Sequence, residues 1–299
     1  MSELSLAYEL QCTFPNVTVR ENEAMKAHSS FRIGGPADVF VEPAFDQELG
    51  ALRRFLRDKG VEPVIIGNGT NILVHDEGIR GVVIHLGEEF SSIRQEGTVL
   101  YAEAGVTLAK LAVYAKEHGL AGLEFAHGIP GSLGGAVMMN AGAYGGEMKD
   151  VVRSVRYMND FGNIGDTDEP GFAYRKSRFT NSRDIILGAA IQLRKDAPEA
   201  IHERMMELWA KRSASQPLDK ASAGSTFKRP WKGYAAAMIE EAGLKGLSIG
   251  GAQVSEKHAG FVINTGNASF ADVSALMEKI KETVYEKFGV MLEPEVRIL

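Results

Sequence analysis

The sequence lacks the features that mark secreted, metal-stabilised and membrane proteins. Its one cysteine, Cys12, excludes an internal disulfide and indicates a reducing compartment. Its seven histidines are scattered, with no His-x-x-x-His pair, so no metal site is expected. No apolar run approaches the roughly eighteen residues of a membrane span. A signal peptide begins with a positively charged segment, and no lysine or arginine precedes Arg20. We therefore expect a cytoplasmic protein without a membrane partner.

The chain also lacks an excess of basic charge. Its formal net charge is −6, which argues against a nucleic-acid partner. A hydrophobic content of 44% and a charged content of 24% are typical of a globular protein. At 299 residues the chain is long for one core and suits two or three compact units.

Hydrophobic periodicity predicts an α/β protein, α+β in detail, with helices and strands mixed along the chain. Helices are predicted at 46–59, 107–119, 199–215, 234–242 and 269–288, with a short one carrying Leu4, Leu6, Leu10 and Phe14. Strands are predicted at 39–41, 64–66, 72–74, 82–84, 99–103, 151–158, 185–193 and 260–264. Thr107 is the predicted N-cap of the second helix, and Ser269 with Asp272 forms a capping pair for the last.

The stretch from Gly122 to Gly146 holds eight glycines and one proline among 25 residues. Each glycine inside a helix or strand costs roughly 1 kcal/mol relative to alanine, so this density favours a turn. A glycine-rich turn that leads into a helix can hold phosphate through backbone N–H groups. The stretch has neither the lysine of a P-loop nor the Gly-x-Gly-x-x-Gly spacing. An ordinary mobile loop is the alternative, although Leu133 and Val137 would bury the run.

A second turn, 67–71, follows the strand at 64–66 and has the sequence Gly-Asn-Gly-Thr-Asn. It is either the turn of a tight hairpin or a second phosphate-binding turn. Two such turns about sixty positions apart fit one large phosphate-bearing ligand better than either fits alone.

These two turns, with Gly-Ile-Pro-Gly-Ser-Leu-Gly-Gly-Ala from Gly128, resemble the FAD-binding domain of the vanillyl-alcohol-oxidase (PCMH) type. The sequences of these turns resemble those of the UDP-N-acetylenolpyruvoylglucosamine reductase (MurB) family, and the match runs from about Ser29 to Glu295. The resemblance implies two FAD-binding lobes, 1–90 and 91–198, and a C-terminal α+β substrate domain, 199–299. It also implies FAD contacts at Gly67, Asn68, Gly69, Thr70, Asn71, Ile72, Gly128, Ile129, Pro130, Gly131, Ser132, Gly134, Gly135, Asn140 and Gly142.

Three residues carry the chemistry that the resemblance implies. Arg175 lies in Tyr-Arg-Lys-Ser, and in the family this arginine contacts the enolpyruvyl group; by itself it is equally a surface arginine of a basic turn. Ser225 lies in Gly-Ser-Thr-Phe-Lys and matches the family's proton donor; by itself it is a turn or cap residue. Glu295 lies in Pro-Glu-Val and matches the active-site glutamate, with Glu293 as the competing candidate.

Substrate-binding residues are expected at Tyr174, beside Arg175 in its motif, and in stretches that the family uses around UDP-N-acetylglucosamine, at Lys228, Gln253, His258 and Asn264. Each of these is, taken alone, an ordinary solvated side chain. Asp219-Lys220-Ala221 departs from a Tyr-Pro-like pair that is common in the family. No tyrosine lies between Tyr174 and Tyr234, so the chain resembles the form of the family without a tyrosine-bearing loop.

The resemblance implies an FAD-dependent reductase of UDP-N-acetylglucosamine enolpyruvate in peptidoglycan synthesis, with non-covalent FAD and NADPH as co-substrate. A monomer is favoured. One alternative is a related flavin oxidase of the same fold that acts on another alcohol or sugar. The other is a nucleotide-binding protein without catalysis, which the presence of Arg175, Ser225 and Glu295 disfavours.

Overall fold

The computed structural model describes residues 5–299, so the predicted helix residue Leu4 lies outside the described part of the chain. Contacts group the chain into two units, each built from three stretches. The first unit comprises the residues through Glu21, Val39–Asn68 and Gly81–Lys211. The second comprises Asn22–Asp38, Gly69–Arg80 and Arg212–Leu299. The division into 1–90, 91–198 and 199–299 stays a prediction.

The helices follow the predicted periodicity closely. They are α1 Leu6–Thr13, α2 Asp46–Asp58, α3 Leu108–Glu117, α4 Leu133–Met138, α5 Pro198–Ser215, α6 Ala235–Glu241 and α7 Phe270–Phe288. Thr107 caps α3 by accepting a hydrogen bond from Lys110 N, as predicted. Ser269 and Asp272 form the predicted capping box of α7, and Gly289 ends that helix in the left-handed conformation.

The strands join several sheets. They are β1 Thr18–Ala24, β2 Pro36–Glu42, β3 Val64–Ile66, β4 Ile72–Leu73, β5 Ile79–His85, β6 Ile93–Glu96, β7 Val99–Glu103, β8 Leu120–Ala121, β9 Gly142–Ala143, β10 Gly146–Glu147, β11 Val152–Met158, β12 Ile164–Thr167, β13 Ile185–Gln192, β14 Arg194–Lys195, β15 Ala221–Ser222, β16 Ser248–Ile249, β17 Ala252–Val254, β18 Val262–Asn264 and β19 Arg297–Ile298.

The first unit contains a five-stranded antiparallel sheet in the order β12-β11-β13-β7-β6. A four-stranded sheet, β1-β2-β5-β3, lies mostly in the same unit, and its strands β3 and β5 are parallel. β13 is buried along Ile185–Ala190, as expected for a central strand with both faces covered. One hydrophobic core joins these elements and includes Leu52 of α2, Leu111 of α3 and Val137 of α4.

The second unit has its own core beneath the antiparallel sheet β15-β18-β17-β16. The apolar face of α7 that the sequence predicted, Val273, Leu276, Ile280 and Val284, is buried in this core, and Phe288 is partly buried against it. A short parallel pair, β4 with β19, belongs to the same unit.

The strand pairings test the tight-hairpin interpretation of the turn at 67–71. β3 pairs with β5, whereas β4 pairs with β19, so the two strands do not form a hairpin with each other. The tight-hairpin alternative is therefore wrong. The glycine turn connects two different sheets instead, and its phosphate-binding role stays a prediction.

None of the helices between Leu6 and Phe288 is long and apolar enough to cross a membrane. Within residues 5–299, no group of three or more His, Cys, Asp or Glu side chains is arranged to hold a metal ion.

Candidate active site

The two glycine turns meet in the first unit. A Cβ atom added to Gly67, directly after β3, would lie 2.2 Å from Ser132 Oγ. Ser132 is the N-cap of α4, although its side chain makes no capping bond. The turn after β3 and the glycine stretch are therefore in contact, and a side chain at position 67 would require Ser132 Oγ to move.

The start of α4 is fixed by the neighbouring backbone. Leu133 N donates to Val106 O at 2.8 Å, and Gly134 N donates to Ala104 O at 2.8 Å. A Cβ on Gly134 would lie 3.0 Å from Ala104 Cβ, whereas one on Gly135 would meet nothing within 4 Å. The amides of Leu133 and Gly134 are thus engaged, and open space lies beside Gly135.

Glycine is required by conformation at Gly131, whose φ is +124°, a region that other residues rarely adopt. Ile129 is partly buried against the core, and Gly128 is partly exposed. Pro130 is exposed. Gly142 lies in β9, where a Cβ would come within 2.6 Å of Gly146 O. Packing alone explains glycine at 142.

The rest of the first turn belongs to the second unit. Gly69 has a φ of +59°, and a Cβ there would lie 1.9 Å from His28 O. Its carbonyl accepts from Ser30 N at 3.1 Å. Asn71 Nδ2 donates to Glu295 O at 3.1 Å, and Arg297 N donates to Asn71 O at 2.9 Å. Thr70 is partly exposed, and Ile72, which opens β4, is buried.

Arg175 occupies a strained position in the first unit. Ala173 and Lys176 exchange backbone hydrogen bonds of 2.9 and 3.2 Å, which places Tyr174 and Arg175 at the tip of a tight turn. The φ of Arg175 is +55°, which costs an L-residue about 1–2 kcal/mol. Its guanidinium lies over the exposed Tyr174 ring, 5.1 Å from the ring centroid. Strain of this kind is concentrated at functional sites.

Three side chains anchor this turn to the glycine stretch. Ser177 Oγ and Thr180 Oγ1 donate to Met138 O at 2.9 and 3.1 Å, at the end of α4. Asn140 Nδ2 donates to Ala173 O at 3.1 Å from the other side. The segment that carries Arg175 is thus held against the segment that leaves α4.

Asn140 itself is buried and has a φ of +42°. Besides Ala173 O, its Nδ2 reaches Glu147 Oε2 at 2.8 Å, and its Oδ1 accepts from Lys149 N at 2.9 Å. The ion pair with Lys149, together with Asn140 and Arg175, holds the pKa of Glu147 below its ordinary value. Both amide hydrogens of Asn140 therefore go to protein groups.

Ser225 and Glu295 are neighbours in the second unit. Glu295 N donates to Thr226 O at 2.8 Å, beside an antiparallel bridge between Phe227 and Pro294. Ser225 is exposed and follows Gly224, whose φ is +76°. Glu295 is partly exposed, so the hydroxyl and the carboxylate border solvent on adjoining segments.

The competing Glu293 makes a different contact. Its Oε2 pairs with Lys228 Nζ at 3.1 Å, and Lys228 N donates to Glu293 O at 2.9 Å. Glu293 thus pairs with Lys228, which lies three residues after Ser225. Glu295 stays the predicted catalytic carboxylate.

The other predicted substrate residues differ in how many hydrogen bonds they make within the protein. Asn264 is buried, donating to Phe31 O at 3.0 Å and accepting from Gly266 N and Ala268 N. Gln253 Nε2 reaches Ser248 Oγ at 3.1 Å. His258 Nδ1 accepts from Gly260 N at 3.1 Å, and burial lowers the pKa of this imidazole. The bonds of Asn264 describe a structural residue that orders the turn after β18.

Sequence reasoning missed Glu147, Ser177 and Thr180, which support Asn140 and the Arg175 turn. Ser177 was visible as the last residue of Tyr-Arg-Lys-Ser, but its partner, Met138 O, is 39 residues away. Nothing local in the sequence marks that contact.

Two protein-family models match parts of this chain. A family model described as FAD binding domain matches residues 37–168. A second, described as UDP-N-acetylenolpyruvoylglucosamine reductase, C-terminal domain, matches residues 216–299. The class is therefore that of the FAD-binding proteins, and the predicted α+β fold, an FAD-binding domain followed by a C-terminal domain, is confirmed.

Individual relatives match along nearly the whole chain. UDP-N-acetylenolpyruvoylglucosamine reductase of Caldanaerobacter subterraneus subsp. tengcongensis is 53% identical, with 93% of this chain and 92% of the relative covered. That of Clostridioides difficile is 49% identical, with 94% and 93% covered. The crystal structure of the Thermus caldophilus reductase superimposes with a TM-score of 0.82 at 35% identity, covering 95% and 98%. The chain belongs to the UDP-N-acetylenolpyruvoylglucosamine reductase family, as its motifs predicted.

Proposed function

We propose that this chain catalyses the FAD-dependent reduction of UDP-N-acetylglucosamine enolpyruvate to UDP-N-acetylmuramate, with NADPH as reductant, in peptidoglycan precursor synthesis. The observation that carries the proposal is its match to named reductases over more than nine tenths of both chains. The structural features of Arg175, Ser225 and Glu295 support the same chemistry.

The residues of the glycine turns fit a bound FAD. Glycine at 67 and 131 allows the backbone to come close to a ligand, and open space lies beside Gly135. Backbone N–H groups in such turns hold phosphate without a charged side chain. The amides of Leu133 and Gly134 are already engaged, so we assign the contacts chiefly to Gly67, Asn68, Gly131, Ser132 and Gly135.

When bound and reduced by NADPH, the flavin would supply the hydride that adds to the terminal carbon of the enolpyruvyl double bond. The electron pair of that bond then moves to the neighbouring carbon, next to the carboxylate. Arg175 pairs with the carboxylate and stabilises this negative charge, since a guanidinium stays protonated at any working pH. Ser225 Oγ–H gives its proton to the carbon, which completes the lactyl ether, and the exposed Ser225 oxygen takes a proton back from solvent. Glu295 orients these groups beside Ser225.

The experiment that tests the proposal is NADPH consumption by the purified yellow protein, with and without the enolpyruvyl sugar nucleotide. We expect rapid oxidation only when the sugar nucleotide is present, and UDP-N-acetylmuramate as the product by mass spectrometry. NADPH oxidation that depends on oxygen instead would favour a flavin oxidase. No oxidation with any acceptor would favour a nucleotide-binding protein without catalysis.

Further properties belong to the same proposal. FAD is non-covalent, so acid or heat denaturation would release all the flavin into the supernatant. The protein acts in the cytoplasm as a monomer and, through peptidoglycan supply, supports cell shape and division. Light scattering of the purified protein would measure the mass, and a mass well above the 32.4 kDa of the chain would reject the monomer.

A further inference from the structure

The Arg175 turn is held in a conformation that its own sequence disfavours. The φ of +55° at Arg175 is of the kind that glycine or asparagine adopts at little cost. A strained turn keeps its geometry only where its surroundings determine it. The contacts of Ala173, which closes the turn, therefore help to hold Arg175 in this conformation.

Ala173 O accepts two hydrogen bonds. One comes from Lys176 N inside the turn, at 3.2 Å, and the other from Asn140 Nδ2, at 3.1 Å. Asn140 is 1% exposed, so the donor side of this bond is buried, whereas Ala173 itself is exposed. Without the Asn140 donor, only solvent and the bond that closes the turn would satisfy this carbonyl.

Asn140 also binds the charged group that acts on Arg175. Its second Nδ2 hydrogen goes to Glu147 Oε2, at 2.8 Å. Glu147 is held by Lys149, by Asn140 and by the capping box with Asp150, and it attracts the guanidinium of Arg175 electrostatically. One buried amide thus fixes both the backbone beneath Arg175 and the carboxylate that attracts it.

We infer that Asn140 is a positioning residue, which sets the direction of the Arg175 guanidinium through Ala173 O and Glu147. The inference rests on the proposed role of Arg175. Because both amide hydrogens are used within the protein, Asn140 does not donate a side-chain hydrogen bond to the cofactor. Substitution of Asn140 should therefore slow the step in which negative charge develops on the carbon next to the enolpyruvyl carboxylate.

The test is Asn140→Asp, which keeps the Oδ1 acceptor and tolerates the left-handed backbone but replaces both N–H donors by a carboxyl oxygen beside Glu147 Oε2. Stopped-flow measurements would follow flavin reduction by NADPH and, separately, reoxidation by the enolpyruvyl sugar nucleotide. We expect reoxidation to slow by about 10- to 100-fold, the loss typical of a misplaced charged group, and reduction to change by less than about twofold. Asn140→Gly, which suits a φ of +42°, gives a second variant if the aspartate variant folds poorly.

The control is Asn22→Asp, the same substitution at an exposed asparagine with a φ of +54°. Both half-reactions should keep their wild-type rates in that variant. A double-mutant cycle then separates positioning from general support. In an Arg175→Ala background, Asn140→Asp should slow reoxidation by less than about twofold further.

An equal loss in both backgrounds would overturn the inference, and so would a joint fall of both half-reactions with flavin occupancy. Normal reoxidation by both Asn140 variants would overturn it as well. If wild-type reduced enzyme is not reoxidised by the enolpyruvyl sugar nucleotide, the proposed function itself fails. If wild type reacts and Arg175→Ala does not, the function stands and the Asn140 variants alone decide the inference.

Discussion

Gly67 and Ser132 approach so closely that a methyl group at position 67 would fit only if the serine hydroxyl moved, since a Cβ at 67 would lie 2.2 Å from Ser132 Oγ. The contact joins the turn after β3 to the start of α4, and with it the two glycine turns of the sequence.

Gly67→Ala is therefore expected to destabilise the protein by about 1–3 kcal/mol, the usual cost of overpacking, and to lower flavin occupancy. Ser132→Ala removes the colliding oxygen and breaks no capping bond. The double variant would leave the two Cβ atoms about 3.4 Å apart and should recover most of the stability. Urea unfolding of the four proteins measures this; a double variant no better than Gly67→Ala would contradict the contact.

Gly135 provides the opposite case. Its Cβ position is open and it lies inside α4, so Gly135→Ala should leave the free energy of unfolding of the flavin-free protein unchanged or raise it by up to about 1 kcal/mol. If backbone at 135 approaches the FAD phosphates, the added methyl should still weaken flavin binding by at least tenfold. Fluorescence titration of the apoprotein with FAD is the measurement. Unchanged affinity would remove Gly135 from the cofactor site.

The strained backbone at Arg175 predicts that a glycine at this position stabilises the turn although the activity is lost. Arg175→Gly relieves a φ of +55°, whereas Arg175→Ala keeps it, so the glycine variant should be more stable than the alanine variant by about 1 kcal/mol. Both should lose reoxidation by the sugar nucleotide, because both lack the guanidinium. Chemical denaturation compares the two variants. A glycine variant less stable than the alanine variant would show that the turn is unstrained.

Ser225 is the residue whose role is most specific to one step. In Ser225→Ala, NADPH should reduce the flavin at nearly the normal rate, because no proton is needed from Ser225 there. Reoxidation should fall by at least the roughly 10²–10⁴-fold expected for losing a positioned acid. Stopped-flow absorbance separates the two rates.

Ser225→Cys, which keeps an acidic proton in nearly the same place, should recover part of that loss. An alanine variant within about tenfold of wild type, a change of about 1.4 kcal/mol, would make Ser225 a turn residue. A slowed flavin reduction would do the same.

His258 predicts how stability depends on pH. Burial lowers its pKa from the ordinary 6.5, an effect that Lys245 reinforces and Glu240 opposes. The unfolded chain then binds the proton more readily than the folded one, so this residue makes the free energy of unfolding fall as pH drops below about 6.5. Protonation would also place an N–H against the donating Gly260 N. His258→Gln should flatten the decline between pH 7 and pH 5. Equal slopes in the wild type and the variant would contradict the prediction.

Local patterns in the sequence predicted the helices well. The bounds of α2, α3 and α7 follow from apolar spacing and from caps that Thr107, Ser269 and Gly289 provide within a few residues. β1 and β12 were not predicted, because their residues are mostly polar and partly exposed and show no run of apolar positions. Edge strands of this kind are defined by their neighbours.

The candidate site divides in the same way. The turns at 67–71 and around 131 were predicted from their glycines. The structure explains the residue type by close approach at 67 and by positive φ at 69 and 131. The side-chain partners were not predictable, because Asn140 and Ala173 are 33 residues apart in sequence. The structural bonds of Asn264, which reach back to Phe31, were hidden for the same reason.

The bond from Asn71 to Glu295 O joins positions 224 residues apart, and the β4–β19 pair lies beside it. During synthesis on the ribosome, the turn at 67–71 emerges long before the strand that completes it. Until Arg297 and Ile298 are made, β4 cannot form its pair with β19. This closure has a high contact order, so we expect it to be a late event in folding. The carboxylate proposed for catalysis would then take its place only after residue 295 and the strand that follows it have been translated.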